Sequence, residues 1–309
     1  MESRRVDLDL GGARDPAGTY AGKAVVIGVL IVLGALTAFA ATLALWTERQ
    51  LLDTTRWSES SSRLLDDPSI RSAISHEVTD RLRKQIEPLS GSNPQVASAV
   101  AGLSESDIDA FLRGAQAHAL WRRTNRQAHA QLVSELENDS RQNGVVLDLE
   151  PLLTAAARSL GLGTLVGAGQ FQGGQIVLAR PGELASARRA VGALRRSGAW
   201  LAAAAAIFYL LALALAQGRR AAVLAACGLS LLAVGGGLVL LRVVAGDAVV
   251  GAYVQNASYR SAVHSAWSIE TRPLAGMALA LALAGAGLLV AGVSAVGFAR
   301  ARRSGRAAS

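Results

Sequence analysis

The sequence predicts a mainly α-helical membrane protein: four transmembrane helices plus a mostly helical α+β domain on the extracytoplasmic side. Three observations carry this reading. Hydrophobic residues make up 51% of the 309-residue chain and charged residues 17%, off the balance of a soluble protein. Four segments, 24–46, 199–216, 221–241 and 274–298, contain no Asp, Glu, Lys, Arg or His. At about 1.5 Å per residue each can cross roughly 30 Å of hydrocarbon. The stretch between the first two, 47–198, is long enough to bury a core of its own.

Charge distribution narrows the function. The formal net charge is +8, yet residues 47–198 hold 18 Lys and Arg against 17 Asp and Glu. Most of the excess lies in Arg219–Arg220 and in the tail from Arg300, at the ends of apolar segments. That is where membrane topology places it, so a nucleic-acid-binding face is excluded. Cys227 is the single cysteine and sits in an apolar run, which excludes a disulfide framework. With only Lys23 and Lys84 as lysines, the Arg-rich composition points to a high-GC bacterium.

Residues 1–23 form a basic tail, with Arg4, Arg5, Arg14 and Lys23. Ala38-Phe39-Ala40 offers a signal-peptidase pattern, but the apolar run continues through Leu45 and Trp46, so an uncleaved anchor is expected. The second basic cluster is the loop 217–220, and the third is the tail 299–309 with Arg300, Arg302, Arg303 and Arg306. An even number of spans puts all three on one side, the cytoplasm, with both termini. Residues 47–198 and 242–273 then face outward at the cell membrane. Arg188, Arg189, Arg195 and Arg196 oppose this assignment, although long domains translocate largely regardless of charge. Small residues at four-residue spacing, Ala278, Ala282 and Ala286 with Gly285 and Gly292 nearby, predict close helix packing in lipid.

In the outward domain, Asp67-Pro68 starts a helix whose stripe runs Ile70, Ala73, Ile74, Val78, Leu82, Ile86 and which Glu87-Pro88 ends. A short helix follows at 95–103, then a long one at 106–137. Val145–Leu149 and Gln175–Leu178 read as two strands that pair, with a helix from Glu150-Pro151 to Leu160 between them. A helix at 182–197 runs towards the second span. The outer loop 242–273 carries one amphipathic helix through Val250, Val254, Ala257, Ala262 and Trp267.

Candidate chemistry is sparse, and neither a catalytic residue, a metal site nor a cofactor is expected. His118 and His129 share a helix face but lack the four-residue spacing of a zinc pair, and surface positions are expected for both. Gly161-Leu162-Gly163-Thr164-Leu165-Val166-Gly167 misses the dinucleotide spacing and follows a helix rather than a strand. Ser58, Ser60, Ser61 and Ser62 cluster without a nucleophile elbow. Asp66-Asp67 and Asp107/Asp109 read as helix caps rather than a hydrolytic carboxylate pair. Asn138 and Asn256 head glycosylation sequons. Trp121, Arg122 and Arg126 are candidates for contact with a partner, and Arg188, Arg189, Arg195 and Arg196 for contact with anionic lipid.

Asp53-Thr54-Thr55-Arg56-Trp57, continuing through Leu64-Leu65-Asp66-Asp67-Pro68-Ser69-Ile70, resembles a block that follows the first span in a family of uncharacterised actinobacterial integral membrane proteins. Leu147-Asp148-Leu149 with Pro151-Leu152, and the link Gln217-Gly218-Arg219-Arg220, are similar to that family too. The resemblance implies four spans and a large extracytoplasmic helical domain, with no activity attached. The arginine pairs before the second span depart from the pattern. The function expected is a non-enzymatic cell-envelope protein that binds a partner, scaffolds or senses through its outer domain. The alternative is a small channel or carrier formed by the second to fourth spans. The partners expected are the lipid bilayer and an envelope protein.

Overall fold

The computed structural model describes residues 16–90, 94–137, 144–162, 174–180, 184–253 and 257–307. Two compact units emerge. One comprises Met1–Ala38, Ala202–Val234 and Leu281–Ser309; the other comprises Phe39–Leu201 and Gly235–Ala280.

Four long helices contribute to the first unit: α1 (Pro16–Trp46), α8 (Ala185–Leu215), α9 (Arg220–Tyr253) and α11 (Arg272–Ala307). The stretches Gly22–Gln50, Ser197–Leu215, Arg220–Gly251 and Arg272–Phe298 are long and apolar enough to cross a membrane. Their outward faces carry large apolar side chains such as Val25, Leu210, Leu229 and Val290, all at least 60% exposed. Water would solvate such a surface poorly, whereas lipid tails match it.

Glycine sets the packing distance between α9 and α11. A Cβ on Gly285 would lie 2.6 Å from the Gly228 carbonyl oxygen, and one on Gly292 would lie 2.6 Å from the Ala221 oxygen. The two backbones touch where any larger residue would force them apart, the role expected of small residues in lipid. Tyr209 of α8 lies against Gly34 of α1, and its hydroxyl is 2.9 Å from Ser230 Oγ of α9. Ala212, Ala216, Val223 and Cys227 complete this core, with Ile27, Leu30 and Ile31 packed against them. Gly218, at φ 75°, makes the tight turn between α8 and α9.

In the second unit α1 passes into a π-helical turn, Thr47–Leu51, after which Asp53 caps α2 (Thr54–Ser62) through the Thr55 and Arg56 amides. Asp67 caps α3 (Pro68–Ser90) in the same way, accepting from the Ser69 amide at 2.9 Å and the Ile70 amide at 3.3 Å. Those hydrogen bonds, the Ser69 hydroxyl foremost, hold the Asp67 carboxyl below the usual carboxylate range. α3 runs past Pro88, because a proline near a helix end removes only one amide already close to fraying. Its stripe is largely as the periodicity predicts: Ile70, Val78, Leu82 and Ile86 are buried.

After α4 (Pro94–Gly102), the long helix expected over 106–137 divides into α5 (Glu105–Leu112) and α6 (Ala115–Glu137). Gly114 lies at the break, its amide turning back to the Phe111 carbonyl at 2.9 Å. The break lets Ile108 and Leu112 of α5 and Ala117 and Trp121 of α6 enter one core with Leu65, Val78 and Leu82. α7 (Glu150–Ser159) adds Leu152, Leu153 and Ala156. β1 (Val145–Asp148) and β2 (Gln175–Ala179) form an antiparallel two-stranded sheet with an irregularity after Val145.

The region expected as an outer loop is mostly helix. The single amphipathic helix expected there is divided: α9 continues through Arg242, Asp247 and Val250 to Tyr253, α10 (Ala257–Glu270) holds Ala257, Ala262 and Trp267, and Val254 lies outside the described residues. Arg242 donates from Nε to Thr271 Oγ1 at 2.7 Å and from a terminal nitrogen to the Ser268 carbonyl at 3.1 Å. Trp267 returns a bond from its indole to the Arg242 carbonyl at 3.0 Å and lies against Gly246. Arg242 can therefore continue α9 because Ser268 and Thr271 satisfy its guanidinium. α10 also docks on α3, where Ser69 and Ser265 hydroxyls meet at 3.1 Å.

Two substitutions test these packings. Gly285→Val should destabilise the protein in detergent by about 1–3 kcal/mol through helix separation, whereas Gly287→Val, whose Cβ would meet nothing within 4 Å, should leave the melting temperature within a few degrees of wild type. Trp121→Ala should cost about 3–5 kcal/mol, read as loss of the cooperative thermal transition of the second unit.

Candidate functional site

The residues singled out from sequence do not form one surface. Trp121 is buried, and its indole donates to the Ser61 carbonyl at 3.0 Å, so it belongs to the core rather than to a contact face. Arg126 turns to the Ser58 hydroxyl at 3.2 Å, while Arg122 is exposed beside it. Arg188 is largely covered, donating to the Glu135 carbonyl at 2.8 Å, with the Glu135 carboxylate 3.8 Å away. Only Arg189 of that pair is exposed, and the side chains of Arg195 and Arg196 lie outside the described residues.

His129 is not on the surface. It is buried, stacks on Trp57 with ring centroids 4.9 Å apart, and holds Thr54 Oγ1 at 3.1 Å from Nδ1. The aromatic stack explains its burial, because α2 and α6 pack face to face along this seam. Asp107 and Asp109 divide in role. Ser104 caps α5 through the Asp107 amide, whereas Asp109 pairs with Arg113 and with Arg71, which hold its carboxyl below the usual range. Most of the glycine-rich segment 161–167, and both sequon asparagines, lie outside the described residues.

The densest polar arrangement was not singled out from sequence. Gln50, at the end of the first apolar stretch, donates from Nε2 to Ser60 Oγ at 3.1 Å and to Glu270 Oε2 at 3.3 Å. Ser60 stands 2.8 Å from the same carboxylate oxygen and 3.1 Å from the Trp57 carbonyl, so its one proton serves either acceptor. Gln50 and Ser60 are buried, and the other carboxylate oxygen of Glu270 is buried with no hydrogen-bond partner among the described residues. Burial pushes the Glu270 carboxyl above its ordinary value, and the Ser60 and Gln50 hydrogen bonds and the Arg63 charge offset part of that rise.

Sequence did hold a faint signal for this triad. Asp247 and Glu270 are the only acids beyond residue 200, and Glu270 stands two residues before an apolar run. An isolated carboxylate there implies a partner, but the partners are remote in sequence: 210 residues separate Glu270 from Ser60, and 220 from Gln50.

In front of Gln50 and Ser60 opens a cavity of about 930 Å³. Its charged lining consists of Arg56, Arg63 and Arg272 with Glu59, Asp66 and Asp67; Pro68, Ile269 and Pro273 supply apolar wall. No protein-family model, curated protein or solved structure matches the chain.

The Glu270 geometry gives a pH dependence of definite sign. Its carboxyl binds a proton more tightly in the folded chain than in the unfolded one, so its contribution is fully present below the ordinary value of 4.5 and fades as pH rises through the raised folded value. Glu270→Gln keeps an acceptor for Ser60 and Gln50 without a buried charge. Its melting temperature should exceed that of wild type at pH 8 by a few degrees and converge with it near pH 4, as followed by thermal unfolding across that range.

Proposed function

We propose that this chain is a multi-pass membrane protein whose second unit works as a non-catalytic binding or sensing module on the outer side of the cell membrane. The observation that carries the reading is the open, charge-lined cavity backed by Gln50, Ser60 and Glu270. Its walls include the last residue of one candidate span, Gln50, and the first of another, Arg272. A ligand there would touch helices that enter the bilayer, as a sensing or scaffolding module requires.

Binding is favoured over catalysis by how the polar groups are occupied. The Ser60 hydroxyl accepts from Gln50 and gives its proton to Glu270 or to a carbonyl, so it forms cavity wall rather than an activated nucleophile. A pore reading is opposed by α9 and α11, whose backbones meet at Gly228, Gly285 and Gly292 and leave no lumen between them. Basic clusters at Arg219–Arg220 and in the C-terminal tail support cytoplasmic placement of those segments and of both termini.

Single cysteines on a Cys227→Ala background test the orientation in intact cells. An impermeant maleimide should label Arg122→Cys and spare Gln217→Cys until the cells are lysed; both positions are exposed. The reverse pattern would place the second unit in the cytoplasm.

A further inference from the structure

The cavity lining has an unusual charge arrangement. Of its six charged side chains, Asp67 is spent on the cap of α3, and Arg56 pairs with Asp53 at 3.4 Å, outside the lining. Among the described residues, Arg63, Arg272, Glu59 and Asp66 form no ion pair within 4.0 Å, with one another or elsewhere. Two cations and two anions thus face one open space without neutralising each other.

Such a lining is matched by a ligand that carries both signs at once. Guanidinium groups present planar, paired donors that suit phosphate oxygens, while free carboxylates accept from an ammonium group. The position selects among zwitterions. Arg272 opens one candidate span and Gln50 closes another, so the cavity mouth stands at the level where headgroups begin, at the edge of the hydrocarbon. Ile269, Pro273 and Pro68 add apolar wall for the glycerol and upper acyl region.

We infer that this cavity binds the headgroup of a zwitterionic phospholipid bearing a primary amine. Arg63 and Arg272 hold the phosphodiester, and Glu59 and Asp66 take the ammonium. Gln50 and Ser60 form the floor, with Glu270 behind them as a positioning residue. The inference rests on the proposed reading of the second unit as a binding module and names its ligand.

The test uses the full-length protein in maltoside detergent, titrated calorimetrically with dihexanoyl phosphatidylethanolamine. Comparison probes are dihexanoyl phosphatidylglycerol, soluble phosphoethanolamine and inorganic phosphate. The ethanolamine lipid should bind about tenfold more tightly than each of the other three. Arg63→Gln with Arg272→Gln should weaken its binding at least tenfold. Glu59→Gln with Asp66→Asn should erase the preference over the glycerol lipid. Lys84→Gln with Arg158→Gln, which lie off the cavity, should change nothing. Because Arg63 and Arg272 are exposed and form no ion pair within 4.0 Å among the described residues, their variants should melt within a few degrees of the wild-type temperature, so lost binding is not lost folding.

Equal affinity for both lipids in wild type, or undiminished binding in the arginine variant, would overturn the inference. Soluble phosphoethanolamine binding as tightly as the lipid would overturn the lipid source. None of these readouts depends on which side of the membrane the unit occupies, so a reversed maleimide pattern would sink the outward reading and leave the ligand standing.

Discussion

Backbone hydrogen bonding in an apolar setting is the constraint on which the rest of this structure depends. A chain segment surrounded by lipid-like side chains has no water to satisfy its amides and carbonyls, so it must satisfy them within a helix. α1, α8, α9 and α11 obey this without interruption, and α8, α9 and α11 each run past an end of their apolar stretch. α8 begins at Ala185, ahead of the apolar stretch from Ser197, and α9 runs on through Arg242 to Tyr253. The polar unit is therefore built on continuations of the same helices, and the Gln50–Ser60–Glu270 triad lies where two of them begin or end.

Within that unit, several charges are put to structural use. Arg71 ties Asp109 to the Leu65 and Asp66 carbonyls, closing the corner between α3 and the turn before it. Arg188 is fixed on Glu135, and Arg113 on Asp109. Arg242 satisfies Thr271 and the Ser268 carbonyl. These groups are held in place by hydrogen bonds to neutral or opposite partners, the usual condition for partly buried charge. Arg63, Arg272, Glu59 and Asp66 face open space instead. A surface charge without a partner is ordinary, since exposed ion pairs contribute little stability. Four of both signs around one cavity are a less common arrangement.

The burial of Glu270 follows from the same geometry. α10 packs against α3 and α2, and its last residue is carried under the π-helical turn that ends the first apolar stretch. Gln50 and Ser60 meet one carboxylate oxygen and leave the other unsatisfied. An incompletely satisfied buried carboxylate sacrifices stability, and such groups gather at functional sites more often than in plain cores.

Sequence by itself determined the four apolar helices, the acid-capped helix from Pro68, the paired strands and the small residues that allow close packing in the first unit. Each is fixed by local periodicity, composition or a cap within a few residues. It misread Trp121 and His129 as surface groups, because a basic neighbourhood on one helix does not reveal that α2 lies across the opposite face. It read one helix where Gly114 makes two, since a lone glycine inside a helical pattern does not by itself mark a break. Only the tertiary structure decided the triad and the cavity. Their members come from segments more than two hundred residues apart in sequence, and the contacts depend on packing distance and side-chain direction, which no local pattern encodes.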